Sequence, residues 1–180
     1  MEDNKQILRN QIIEVAGNVQ YTYMAHWIIV NRHKMQYLGI KVIQIILTAL
    51  STGGFLAFIL TNVPQLSWVG GFTAALALAL NLYMLNFRIP DSIKQHTDAA
   101  NNLWEVREKY KSLLVDFDIL DISEIRKRRD MLMMDVSRIN KAYPGTDARS
   151  FIKAQKGLKN YLFIDGEAAK TINMGNKEKA

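Results

Sequence analysis

An uncharged stretch from Val42 to Phe87 constrains the fold of this chain more than any other feature. None of the 23 Lys and Arg or 17 Asp and Glu residues of the chain lies in it. It contains two apolar runs, residues 42–60 and 66–87, of 19 and 22 residues. As helices with a rise of ~1.5 Å per residue they would be about 29 and 33 Å long, which matches a hydrocarbon core about 30 Å thick. We therefore predict an integral membrane hairpin of two transmembrane helices over residues 42–87.

Residues 61–65, TNVPQ, separate the two runs and are predicted to form a tight turn that includes Pro64. Because unpaired backbone polar groups are too costly in lipid, each run should be a complete helix. The alternative is a pair of buried core helices in a soluble protein. Core helices seldom reach this length without a charged residue, so the pattern favours the membrane hairpin.

Positively charged residues flank the two runs, whereas the turn between the runs carries no charge. Arg32, Lys34 and Lys41 precede the first run, and Arg88 and Lys94 follow the second. Lys and Arg are enriched on the cytoplasmic side of membrane proteins. The distribution therefore predicts a multi-pass membrane protein with both termini in the cytoplasm.

The segment before the hairpin, residues 1–41, is predicted to be a long amphipathic helix on the cytoplasmic side. Its apolar residues recur in steps of three and four, which is typical of one helix face. The helix is expected to continue through Gly39 into the first span. The apolar stripe consists of Ile7, Leu8, Ile12, Val15, Val19, Tyr23, Trp27 and Val30.

The segment after the hairpin, residues 88–160, is predicted to be a cytoplasmic helical region. Pro90 and Asp91 should break the chain, with Asp91 as the N-cap of a new helix. The buried face of that helix is predicted to carry Ala99, Ala100, Leu103, Trp104, Arg107, Tyr110, Leu113 and Leu114.

Two more helices are predicted in this region. Residues 121–124, DISE, resemble a capping box that starts a helix through Ala142, and a shorter helix follows from Asp147 to Lys159. Residues 161–180 are predicted to be a loosely ordered tail. The fold class is therefore all-α, with the N- and C-terminal segments packed into a helical bundle. Pairing of the apolar stripes between subunits is the alternative.

Polar and small residues fall on one face of each predicted span. The polar side chains of the first span are candidates for lining or gating a pore. The glycines of the first span and the small and polar residues of the second span are candidates for close packing between helices. The pore-lining or gating candidates are Gln44, Thr48, Ser51 and Thr52. The helix-packing candidates are Gly53, Gly54, Ser67, Gly70, Ala74 and Asn81. Because two helices alone cannot enclose a channel, a pore would require a homo-oligomer, and packing within one hairpin or oligomer remains the alternative.

The densest basic cluster of the chain lies in the predicted helix that ends at Ala142. It consists of Arg126, Lys127, Arg128 and Arg129. A solvated helix face needs no ligand, whereas contact with membrane lipid headgroups or an anionic signal would use these charges. Direct nucleic-acid binding is the least favoured of the three interpretations.

Residues typical of catalysis or metal binding are sparse. The chain has no Cys, which excludes thiolate metal sites. His26 and His33 share a helix face, but no neighbouring acidic residue completes a ligand set, so we interpret them as packing or interfacial histidines. No phosphate-binding glycine loop or nucleophile motif is present. We therefore expect no enzyme, no cofactor and no metal site.

The cytoplasmic segments contain several specific motifs. Leu103-Trp104-x-x-Arg107-Glu108-Lys109-Tyr110 is followed by Tyr143-Pro144 and then by Ala154-x-Lys156. In this order, after two spans, they resemble the SLATT family, the two-transmembrane effector domains associated with bacterial SMODS nucleotide synthases and SLOG nucleotide sensors. The resemblance runs from Tyr21 to Lys159, and its motif residues are Trp104, Arg107 and Tyr110.

This resemblance implies an effector of bacterial conflict systems, chiefly of anti-phage defence by abortive infection. Such an effector oligomerises and permeabilises or depolarises the inner membrane when it is triggered by a partner or a nucleotide signal. The resemblance further implies a separate activating protein, which would be a nucleotide synthase, a nucleotide sensor or a reverse transcriptase. The alternative is a non-conducting membrane anchor that recruits a cytoplasmic partner.

Overall fold

The computed structural model describes residues 2–158, which form five helices and no strand. The prediction of an all-α chain is confirmed for this part of the sequence. The predicted tail at 161–180 lies outside the described residues. The helices are α1 (Glu2–Thr61), α2 (Pro64–Phe87), α3 (Ile89–Val115), α4 (Ile122–Ala142) and α5 (Ala148–Leu158).

Helix α1 is continuous over 60 residues. It includes the predicted amphipathic segment and the whole first apolar run, so the predicted continuation through Gly39 is confirmed. The turn after α1 is shorter than predicted. Only Asn62 and Val63 separate α1 from α2, because Pro64 begins α2 rather than belonging to the turn. Proline suits the first helical turn, where its missing N–H has no intrahelical partner, and Asn62 adopts the left-handed conformation with φ 54°, which asparagine tolerates.

The junction between α2 and α3 also differs from the prediction. Arg88, with φ 40°, ends α2 in the left-handed conformation, and α3 begins at once with Ile89. Pro90 is therefore the second residue of α3 and Asp91 lies in its first turn. The assignment of Asp91 as N-cap was wrong. Because proline is compatible with the first turn of a helix, α3 begins before Pro90 and two residues before Asp91.

The start of α4 is at the predicted place but lacks the predicted capping box. Asp121 is the N-cap residue and makes no side-chain hydrogen bond to the helix. Glu124 instead accepts a hydrogen bond from Nε of Arg128, 2.8 Å away. At the start of α5 the backbone N–H of Ser150 donates to Oδ1 of Asp147 at 2.8 Å, which is the usual N-cap bond.

The described chain divides into two compact units. We call residues 31–93 the apolar unit. We call the described residues 2–30 and 94–158 the core unit, because they share one hydrophobic cluster. The cluster consists of Leu8, Ile12, Ala16, Val19, Leu103, Val106, Tyr110, Leu113, Phe117, Ile125 and Leu132.

Two residues assigned to the buried faces from the sequence are exposed. Ile7 is 61% and Trp104 is 49% exposed, whereas their neighbours Leu8 and Leu103 are buried. Adjacent residues of a helix point about 100° apart, since one turn holds ~3.6 residues. Each predicted stripe therefore extends one position too far around its helix at these two residues.

Candidate functional site

The end of α1 and the start of α2 approach closely at two glycines within the apolar unit. A Cβ atom on Gly54 would lie 3.1 Å from the backbone N of Gly70, and a Cβ on Gly70 would lie 3.1 Å from the carbonyl oxygen of Ser51. The hydroxyl of Ser51 also donates to the carbonyl of Gly70 at 3.0 Å. Small residues therefore permit backbone contact here, as they do between membrane helices.

A second contact joins the same two helices farther from the turn. Nε2 of Gln44 donates to Oδ1 of Asn81. Contacts of residue 44 with 81 and of residue 51 with 70 show that the two helices run antiparallel. The amide pair brings a residue predicted to line a pore together with one predicted to pack helices.

A shallow groove lies beside this amide pair, in the part of the helix pair farther from the turn. The threonine hydroxyls in the groove donate within α1, from Thr48 to the carbonyl of Gln44 and from Thr52 to the carbonyl of Thr48. Each hydroxyl oxygen can still accept hydrogen bonds from the groove. The groove is lined by Lys41, Gln44, Ile45, Thr48, Ala49, Thr52, Gly53 and Asn81.

The structure thus divides the four residues predicted to line or gate a pore. Gln44, Thr48 and Thr52 share the groove, whereas Ser51 bonds to α2. Among the predicted packing residues, Gly54 and Gly70 lie in the backbone contact, whereas Gly53 has open space where a Cβ would stand. Ser67 donates to the carbonyl of Pro64 within its own helix, and Ala74 is half-buried.

Thr73 was missed in the sequence analysis. It is buried and donates to the carbonyls of Val69 and Gly70 in α2. A threonine among apolar residues does not by itself indicate which face of a helix is covered, so its burial could not have been foreseen.

The apolar side chains around the groove face outward. Two helical segments are long and apolar enough to cross a membrane: Asn4–Thr61, and Pro64–Val115, which includes α2 and α3. In the most apolar 18-residue stretch of each segment, only 6% and 11% of the residues are buried. Within residues 2–158 there are therefore two candidate membrane-spanning helices. Exposed large apolar residues in this region include Ile43, Ile45, Ile46, Leu50, Leu56, Ile59, Leu60, Trp68, Phe72, Leu78 and Leu85.

The basic cluster of α4 consists of two paired and two exposed side chains. Arg128 pairs with Glu124, and this hydrogen bond holds the pKa of Glu124 below its usual value. Arg129 pairs with Asp130 and also donates from Nη1 to Oε1 of Gln11 at 2.9 Å. Arg126 and Lys127 are exposed. Contact of the cluster with lipid or an anionic ligand stays a prediction.

The three family-motif residues occupy different environments in α3. Trp104 is half exposed, whereas Arg107 is largely covered and donates to Glu108. Tyr110 is fully buried in the hydrophobic cluster, and burial raises its pKa to about 12. The motif therefore contributes one side chain to the core and leaves one on the surface.

A pair of buried histidines joins α1 to α3 in the core unit. The Nδ1 atoms of His26 and His96 are 2.8 Å apart, and the side chains are 4% and 6% exposed. At this distance the two nitrogens form a hydrogen bond, in which one imidazole is the donor and the other is the acceptor. Burial, followed by the charge of His96, lowers the pKa of His26 to about 4.

The sequence analysis did not find this pair. The two histidines are 70 positions apart, and their contact depends on the register between α1 and α3. His33 was predicted to share a face with His26, but its own Nδ1 lies 3.0 Å from the hydroxyl of Ser92. Within residues 2–158 no group of three or more His, Asp or Glu side chains could hold a metal ion.

The family model described as "SMODS and SLOG-associating 2TM effector domain family 4" matches residues 8–162. The chain belongs to this SLATT family. The match covers most of the sequence, including both apolar runs, so the resemblance found from the motifs is confirmed. Neither the curated proteins nor the solved structures include a significant match.

The SLATT description bears directly on function. It names a two-transmembrane effector domain that associates with SMODS and SLOG proteins, which places it in conflict and anti-phage systems. SLATT is not a known enzyme family. The association with SMODS proteins is consistent with a separate activating protein.

Proposed function

We propose that this SLATT chain is an effector that assembles in the bacterial inner membrane around its polar groove and depolarises the cell when a separate partner acts. The observation that carries the proposal is the groove itself, a row of polar side chains on an otherwise apolar, outward-facing helix pair. Both termini lie in the cytoplasm in this proposal, because the flanking cations Arg32, Lys34, Lys41 and Arg88 stand at one end of the pair.

The groove favours assembly because lipid cannot satisfy it. Gln44 and Asn81 form one hydrogen bond with each other, but each amide can form more. Polar groups without partners are unfavourable in hydrocarbon. A second subunit or a column of water would supply the missing partners, and two helices cannot enclose water alone. Several copies arranged with their grooves inward would satisfy both requirements.

The described residues that line the groove include no carboxylate and no histidine. Proton relays and voltage sensors in membranes depend on ionisable side chains within the spans, and residues 42–87 have none. The path would therefore open through helix packing and wetting rather than through titration inside the membrane. The core unit, which contains the family motifs, is the part that a partner protein would contact.

The proposal is tested by removing the polarity of the groove. The Q44L/T48L variant replaces one amide and one hydroxyl of the groove, and the matched control T61L/Q65L removes the same groups near the turn. Each chain is induced in bacteria at equal membrane level, alone and together with its neighbouring genes, and membrane potential is followed with a voltage-sensitive dye. We expect the wild type and the control to depolarise cells before growth stops, and Q44L/T48L to lose most of this effect.

Two results would contradict the proposal. If Q44L/T48L depolarises cells as strongly as the wild type, the groove does not line the path. If the wild-type chain leaves cells polarised both alone and with its neighbouring genes, the chain does not conduct. A non-conducting anchor for a cytoplasmic partner would then be the better description.

A further inference from the structure

Among the described residues that line the groove, Lys41 is the one with an ionisable side chain. It stands seven residues before Thr48 and eleven before Thr52, so the three share one face of α1. Its Nζ lies 5.6 Å from the centre of the Tyr37 ring, one turn farther from the spans. Attraction to the ring draws the ammonium toward the end of the groove rather than into its apolar part.

The charge of the whole apolar unit has the same sign as Lys41. Residues 31–93 contain four cations, Arg32, Lys34, Lys41 and Arg88, and one carboxylate, Asp91, which gives a net charge of 4 − 1 = +3. All five stand outside residues 42–87, and the turn at the opposite end is uncharged. One end of the groove is therefore positive and the other is neutral.

We propose that Lys41 makes the assembled path selective for small inorganic anions. The inference rests on the proposed function, because a groove becomes a path only in an oligomer. A symmetric assembly with its grooves inward places one Lys41 from each subunit in a ring at one mouth. Rings of Lys or Arg favour anions and repel cations in pores.

The strength of this selectivity depends on salt. Exposed charges are screened over about 8 Å at physiological ionic strength and over about 30 Å at 0.01 M. A ring at the mouth therefore selects more strongly in dilute salt. The charged and uncharged ends should also make the current rectify, with unequal currents at opposite voltages.

The test uses the purified full chain in planar lipid bilayers, alone and with the products of its neighbouring genes added, under a gradient of potassium chloride. We expect the sign of the reversal potential to show that chloride is more permeant than potassium. The preference should be clearest when the solutions on both sides of the bilayer are dilute. K41E should reverse that sign, and K41Q should bring the reversal potential close to zero. K94E is the matched control, since it makes the same change in charge at an exposed lysine outside the groove and should leave the sign unchanged.

The outcomes separate this inference from the proposed function. A potassium-selective wild type, or a chloride preference that survives in both K41E and K41Q, overturns the role of Lys41 but leaves a conducting effector. A wild-type chain that inserts and passes no current, both alone and with the products of its neighbouring genes added, overturns both. K41Q removes the charge without introducing an opposite one, so it keeps the test decisive if K41E fails to insert.

Discussion

The buried pair of His26 and His96 makes the stability of the core unit depend on pH. The pKa of His26 falls from 6.5 to about 4 in the folded chain, so between these values the unfolded chain binds more protons than the folded one. Above pH 6.5 this group does not change the free energy of unfolding. As the pH falls from 6.5 toward 4, the folded state loses stability relative to the unfolded one. At ~1.4 kcal/mol per pKa unit, the full loss is about 3 kcal/mol.

We therefore expect the thermal unfolding temperature of the full chain in detergent to fall between pH 7 and pH 5. The H26Q variant removes the group whose pKa is lowered and should flatten this dependence. H33Q is the control, because His33 bonds to Ser92 rather than to the pair, and it should retain the slope. An unchanged slope in H26Q would show that other groups govern the acid sensitivity.

At the scale of the element, the contact between α1 and α2 depends on two glycines. A Cβ on Gly54 would meet the backbone of Gly70 and Leu66 at 3.1 Å, whereas a Cβ on Gly53 would meet nothing within 4 Å. Backbone atoms cannot rotate away as a flexible side chain can. G54V should therefore force the helices apart and destabilise the pair by about 1–3 kcal/mol.

G53V is a close control, since it places the same β-branched residue in the same helix with free space around it. Thermal unfolding of both variants in one detergent measures the difference, and we expect only G54V to unfold at clearly lower temperature. Equal unfolding temperatures would indicate that the two helices do not rely on this contact.

The helices themselves could largely be predicted from the sequence, because apolar periodicity is a local signal. The uncharged runs, the continuation of α1 through Gly39 and the end of α4 at Ala142 all follow from such signals. The errors arose where two local rules compete. Pro64 and Pro90 can either break a helix or begin one, and Glu124 can either close a capping box or pair with Arg128.

The candidate site was less predictable than the helices that carry it. Gln44 and Asn81 could each be identified as unusual polar residues, but their mutual hydrogen bond depends on the register between α1 and α2. The same holds for His26 and His96. Register between distant helices follows from close packing over many residues, such as the contact of Gly54 with Gly70, and no single sequence window contains that information.

At the scale of the whole molecule, α1 belongs to both units and passes from one to the other without a break. The first part of this helix belongs to the core unit, where Leu8 and Ile12 share the hydrophobic cluster with Ile125 of α4. The proposed function requires a path that stays closed until a partner acts, and we predict that the core unit keeps it closed. Weakening the core should then imitate the partner.

Ile125 is fully buried, and replacing it with alanine should destabilise the core by about 2–5 kcal/mol. We expect I125A to depolarise bacteria without any partner gene, at an expression level at which the wild type leaves them polarised. M134A is the control, because Met134 lies on the same helix and is 64% exposed. An I125A chain that reaches the membrane at normal level and needs the partner as much as the wild type would separate the stability of the core from the closed state. The partner would then have to act directly on the apolar unit, because loosening the core would not be sufficient to open the path.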